Sequence, residues 1–170
     1  VGGYRLRIDC QGSGSPTVIF DSGLARTMDT WGIVPSEVSK LTRACTYERA
    51  GVGLSDSGPE LRTSREIVQE LHTLLEKKGI EGPYVLVGHS FGGLNVRLYA
   101  NHYGTQIAGL VLVDASHEDQ YQFLAEQMPP TEKQKYLRHE GGSNGERVDI
   151  LRSAEEIRGA ASLPSVPLVV

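Results

Sequence analysis

One stretch constrains this chain more than any other: Tyr84-Val85-Leu86-Val87-Gly88-His89-Ser90-Phe91-Gly92-Gly93. The apolar run behind Gly82-Pro83 reads as a buried parallel strand, and helix-like sequence from Leu94 to His102 follows it. Between them lies G-x-S-x-G in its required setting of strand, sharp turn and helix. A serine at the apex of such a turn projects its hydroxyl above the sheet edge. The turn tolerates no side chains where the backbone folds back on itself, which assigns Gly88 and Gly92 their places. Ser90 then stands at a helix N-terminus, whose free N–H groups favour a developing negative charge. Ser90 is therefore a candidate nucleophile; the bland alternative is a glycine-rich packing turn.

Bulk properties narrow the remaining choices. A chain of 170 residues suits one domain with a real core. Its net charge is −4 and its basic residues are scattered, which excludes an electrostatic nucleic-acid footprint. No apolar run approaches the roughly 18–20 residues that span a membrane. Cys10 and Cys45 are too few for a disulfide framework and fall in strand-like segments, so they read as buried free thiols. No metal pattern emerges, and His117-Glu118-Asp119 lacks the spacing of a helical zinc motif. The chain opens on Val1 without a methionine and stops at Pro167-Leu168-Val169-Val170, which reads as the start of another strand. The expectation is a fragment cut at both ends, with any signal peptide out of sight and a soluble, cytoplasmic protein as the default.

Along the chain, Tyr4–Ile8 alternates as an edge strand does, and Gln11–Pro16 makes a turn. The glycines of that turn lack the strand and helix that a dinucleotide loop needs. Thr17–Phe20 is a buried strand ending in Asp21-Ser22-Gly23-Leu24. A helix is expected over Met28–Leu41, with Trp31, Val34, Val38 and Leu41 on its apolar face and Pro35 as an interruption. Ala44–Tyr47 is the next strand. Thr63 and Glu66 form a capping box that opens a helix with Ile67, Leu71, Leu74 and Leu75 on one stripe, and Gly79 ends it. Ile107–Val113 is a further strand, closing on Asp114. Charge then rises, and Glu118–Met128, Thr131–His139 and Ser153–Arg158 read as short helices around Gly141–Gly145.

The alternation of strands and amphipathic helices defines an α/β chain with a mostly parallel, doubly wound sheet. Ligands on such sheets bind beyond the carboxyl ends of the strands, so Ser22-Gly23-Leu24, Ser90 and Asp114 should share one rim.

With these motifs in place, the chain resembles the α/β-hydrolase superfamily. The likeness rests on Asp21–Leu24, on Tyr47–Ser55, on Gly88–Gly92 and on Leu110–Ala115. A serine at the turn resembles the esterase, lipase and aminopeptidase branch; dehalogenases and epoxide hydrolases place an aspartate there. The resemblance implies a core over residues 1–114, a helical cap or peripheral helical layer over 115–164, and the start of the next core strand at 165–170, with the last strands missing. It implies an oxyanion hole from the N–H groups of Leu24 and Phe91, and treats Arg49–Ser55 as scaffolding. The triad acid and histidine of the family follow later strands, placing both after Val170. Within the chain, Asp114 either serves as the acid or caps its strand; His117 could complete only a makeshift dyad, and His89 reads as a packing residue.

The function expected on this reading is cofactor-independent cleavage of a small-molecule ester or related acyl compound, with no metal and no nucleic-acid partner. Acyl transfer or cofactor-free peroxidation on the same triad is the nearest alternative. A non-catalytic binding protein on the same fold is the other.

Overall fold

The structure is a computed structural model describing residues 1–59, 61–140 and 145–170. Six strands form one sheet: β1 (Arg7–Gln11), β2 (Thr17–Asp21), β3 (Ala44–Glu48), β4 (Tyr84–His89), β5 (Ile107–Val113) and β8 (Leu168–Val169). Their spatial order is β1-β3-β2-β4-β5-β8. Only β1 runs antiparallel, against β3. The chain steps outward from β2 to β3, then crosses back over β2 to β4, so the sheet reverses its winding between β2 and β4. That reversal opens a crevice beyond the carboxyl ends of these two strands.

The two faces follow from the alternation of side chains along each strand. Ile19, Leu86 and Leu110 point to one face, where they join Ile67, Leu71, Leu75, Leu94 and Leu98. Those partners come from α2 (Ser64–Lys77) and α3 (Phe91–His102). Val18, Phe20 and Val87 point the other way and pack on Trp31. The capping box at Thr63 and Glu66 is formed, with the Thr63 N–H donating to Glu66 at 2.6 Å.

Four expectations need correction. The edge strand is Arg7–Gln11, because the register is set by pairing of Ile8 with Tyr47 and Cys10 with Cys45 rather than by the alternation at Tyr4. The single helix over Met28–Leu41 is a 3-10 turn at Met28–Trp31 followed by α1 (Val34–Ser39). The break falls at Gly32, which has φ +54, while Pro35 sits in the first turn of α1, where its missing N–H costs nothing. Leu41 is 87% exposed and belongs to no apolar face. Finally, Cys10 and Cys45 are not free thiols: directly opposed on antiparallel strands, they form a disulfide. It closes a loop of 35 residues, which in the chain-entropy view stabilises the fold by about 3–4 kcal/mol.

Residues 115–164 hold α4 (Gln120–Glu126), α5 (Pro130–Leu137) and α6 (Ile150–Arg158). A short antiparallel pair, β6 (Arg138–Glu140) and β7 (Arg147–Asp149), lies between α5 and α6 and was not expected from the sequence. Apart from Gly145, the glycine-rich joint lies outside the described residues. Tyr121, Leu137, Ile150 and Ile157 are buried in the same cluster as α2 and α3, so this segment shares the core of the sheet's helical face. Ser153 Oγ and Glu156 accept from the Ser64 and Arg65 N–H groups, satisfying free donors at the start of α2. No helix among the described residues is long and apolar enough to cross a membrane.

Two outcomes test this description. Iodoacetamide should label neither cysteine in the native, unreduced protein and both after reduction in denaturant. Arg97 on α3 holds Glu118 with hydrogen bonds of 2.8 and 3.3 Å, and that guanidinium lowers the Glu118 carboxyl to about 2. A carboxyl depressed on folding stabilises above its unfolded value, here 4.5, and the contribution is lost as pH falls toward 2. The urea midpoints of the wild type and Glu118→Gln should therefore differ at pH 7 and converge between pH 4.5 and 2. A gap independent of pH would contradict the ion pair.

Candidate active site

Ser90 stands between β4 and α3 with φ +51 and ψ −122, a conformation that L-residues with side chains rarely adopt. Its surroundings hold it there. The Ser90 N–H donates to the Val113 carbonyl at 3.3 Å, and its own carbonyl accepts from the N–H groups of Gly93 (2.9 Å) and Ser116 (3.0 Å). The turn after β5 thus locks the turn after β4. The glycines are required by contact. A Cβ on Gly88 would lie 2.6 Å from a Val96 methyl, and one on Gly92 would lie 2.2 Å from the Asp21 carbonyl oxygen. One on Gly93 would meet the Ala115 methyl at 2.4 Å, a constraint the motif itself does not spell out.

The expected rim is formed. Asp21 lies opposite Gly88 in the register, so the loop Ser22-Gly23-Leu24 leaves β2 beside the Ser90 turn. Gly23 packs against it: a Cβ there would stand 3.4 Å from Ser90 Cβ and 3.2 Å from His89 Nδ1. Phe91 follows Ser90 as the first residue of α3, and Leu24 follows Gly23 on the loop after β2. Asp114 occupies the same rim one residue beyond β5, exposed and with φ +44. Among the described residues, the non-glycine residues with positive φ are Ala25, Ser90 and Asp114. All three follow carboxyl ends of neighbouring strands, so backbone strain gathers where a ligand would bind.

The histidines are placed less usefully. His89 is edge-on to Trp31 with ring centroids 6.2 Å apart, in keeping with a packing role. His117 turns to Asp119, and His72 bonds the Tyr99 hydroxyl at 3.0 Å. Among the described side chains no histidine pairs with Ser90 or Asp114.

Beneath the rim lies a network that sequence reasoning set aside as scaffolding. Arg49 is 3% exposed and uses every N–H of its guanidinium. Its Nη1 donates to Asp21 at 2.5 Å and to the Ser22 carbonyl at 2.7 Å. Its Nη2 donates to the Gly23 carbonyl at 2.7 Å and to Glu146 at 3.1 Å, and its Nε donates to Glu146 at 2.6 Å. Tyr47 donates to the second oxygen of Asp21 at 2.8 Å. One cation between two buried carboxylates leaves them unequal. Burial pushes Asp21 up against the opposing pull of Arg49. Burial also raises Glu146, but the Arg49 charge, its hydrogen bonds and the Ala25 N–H together hold that carboxyl below its usual range. Glu146 carried no sequence signal; it stands 97 residues from Arg49 in a polar, glycine-rich segment.

A strand–serine–helix turn beside a tethered backbone loop, on a doubly wound sheet, defines the class. A family model described as alpha/beta hydrolase fold matches residues 16–148. The chain belongs to the alpha/beta hydrolase fold family. A Bacillus subtilis (strain 168) protein, the uncharacterized YqjL, is 28% identical over 163 residues, which cover 94% of this chain and 62% of the relative. The chain thus spans less than two thirds of that relative's length. Among solved structures, a monoacylglycerol lipase from Paleococcus ferrophilus superposes with TM-score 0.67 at 18% identity, over 96% of this chain and 73% of the lipase. The enol-lactonase from Burkholderia xenovorans LB400 gives TM-score 0.67 at 15% identity, over 99% and 77%. These structural likenesses show the shared fold.

Gly92→Ala should lower stability by about 1–3 kcal/mol, the usual cost of overpacking, because the new methyl meets backbone on β2 that cannot yield. Equilibrium urea unfolding measures it, and an unchanged midpoint would mean that the β2 loop does not press on α3 as described.

Proposed function

We propose that the protein is a cofactor-independent serine hydrolase that cleaves carboxylic esters or related acyl compounds. The observation that carries this reading is the strained Ser90 at the strand–helix apex with Gly23 of the loop after β2 packed against it. Ser90 Oγ attacks the acyl carbon and its proton passes to a histidine base. The carbonyl oxygen becomes an oxyanion that accepts from the N–H groups of Leu24 and Phe91; each such donor is worth about 10²–10³ in turnover. Collapse expels the alcohol, which takes the proton from the histidine. Water then attacks the acyl-enzyme and restores Ser90. The family resemblance supplies the expectation of a histidine base with an acid partner, and Asp114 is a candidate acid on the same rim. The names of the two structural neighbours, a lipase and a lactonase, agree with acyl chemistry.

Substrate choice is assigned to residues 115–164, the segment nearest the rim in sequence after β5, where Phe123 and Leu124 on α4 are exposed. The substrate is a small molecule with an apolar acyl or alkyl group. The Cys10–Cys45 disulfide favours an oxidising compartment over the cytoplasmic default.

The full-length gene product should hydrolyse p-nitrophenyl butyrate, and Ser90→Ala should reduce the rate by at least about 10³-fold. Cleavage undiminished in that variant would overturn the assignment of Ser90.

A further inference from the structure

We propose that Glu146 is a positioning residue for the oxyanion hole, acting through Arg49 on the loop that presents the Leu24 N–H. The inference rests on the serine-hydrolase reading and on Leu24 as an oxyanion donor. Glu146 is fully buried and belongs to the segment between the α4–α5 helices and α6, far in sequence from the rim. Both of its oxygens are committed to the rim's support. Oε1 accepts from Arg49 Nε at 2.6 Å; Oε2 accepts from Arg49 Nη2 at 3.1 Å and from the Ala25 N–H at 2.6 Å. Arg49 in turn binds the carbonyls of Ser22 and Gly23. The residues on both sides of Leu24 are therefore fixed, through Gly23 by Arg49 and through Ala25 by Glu146. Leu24 itself is left with its N–H outside the network: among the described residues it donates no hydrogen bond.

A second, independent contact places Glu146. Gly51 has φ +79, and a Cβ on it would lie 2.6 Å from the Gly145 carbonyl oxygen and 2.9 Å from the Glu146 nitrogen. The loop after β3 and the 145–146 backbone touch directly. The Arg62 and Arg147 backbones continue the seam, with Arg62 N–H donating to Arg147 at 3.1 Å and Asp149 N–H to Arg62 at 2.9 Å. Glu146 is thus delivered by a seam of direct backbone contacts. An oxyanion donor helps only if it is held still while charge develops on the substrate.

The test compares wild type, Glu146→Gln and Glu146→Asp in the full-length gene product. Gln keeps the shape but removes the charge; Asp keeps the charge but shortens the reach. The readouts are kcat and KM for p-nitrophenyl butyrate and the inhibition constant of a boronic acid. A boronate adds to the serine as a tetrahedral anion and occupies the oxyanion site. The inhibition constant does not depend on the fraction of molecules correctly folded, so it remains readable if a variant folds poorly. The expected result is a fall in kcat and a rise in the boronate constant, each by about tenfold or more, with KM within about twofold. An unchanged boronate constant in both variants would overturn the proposal and give Glu146 a structural role only. Retained turnover in Ser90→Ala would instead overturn the hydrolase reading beneath it.

Discussion

The rim of this protein depends on one guanidinium. Arg49 sits at the end of β3 and joins the loop after β2 to the segment before β7, using all five of its donors on four residues. A lysine offers three donors from one point and could not reproduce a planar fork that meets two carbonyls and two carboxylates together. The geometry is possible because β2 and β3 are parallel neighbours, so Asp21 and Arg49 emerge on the same edge. Fold and site are therefore one construction. The sheet aligns the strand ends, and Arg49 converts that alignment into a fixed loop.

Strain is distributed around the same edge. Ala25, Ser90 and Asp114 each hold a positive φ without being glycine, and each is restrained by a neighbour. The Ala25 N–H is taken by Glu146, the Ser90 carbonyl by Gly93 and Ser116, and the Asp114 turn by that same Ser116 contact. Such conformations cost of order 1–3 kcal/mol each and persist only where the surroundings over-determine them. Here the over-determination comes from hydrogen bonds that run between strand ends, which is why the strained residues occur together.

What the sequence made legible was whatever is local in the chain. The apolar run of β4, the glycines around Ser90, the Thr63–Glu66 box and the stripe of α2 each declare themselves within a few residues. So does the shared rim, because strand ends follow from strand order. The misses were mostly non-local. The Cys10–Cys45 pair depends on β1 lying antiparallel to β3, and nothing at either cysteine announces that register. The β6–β7 pair involves three residues on each side, too few for alternation to be read. The break at Gly32 was misplaced onto Pro35 because proline interrupts a helix interior yet is welcome in a first turn. Glu146 lay deepest, its role written only in contacts with residues some hundred positions away.

Burying Arg49 with two acidic partners is not explained by stability. Ion pairs withdrawn from water often do no better than apolar residues of the same volume. The network differs from an isolated pair in what else it serves. If Arg49 and Glu146 were replaced by well-packed apolar side chains, the buried Ser22 carbonyl would lose its partner and buried Asp21 its counter-charge. Each unsatisfied group costs about 1–3 kcal/mol, so an apolar core would fit this space only with a differently folded β2 loop. The charges follow from the loop rather than the reverse. Among the described residues the loop leaves the Leu24 N–H uncommitted while its flanking polar groups are bound from beneath, and a buried arginine braced by a carboxylate is the side-chain pair that does so here.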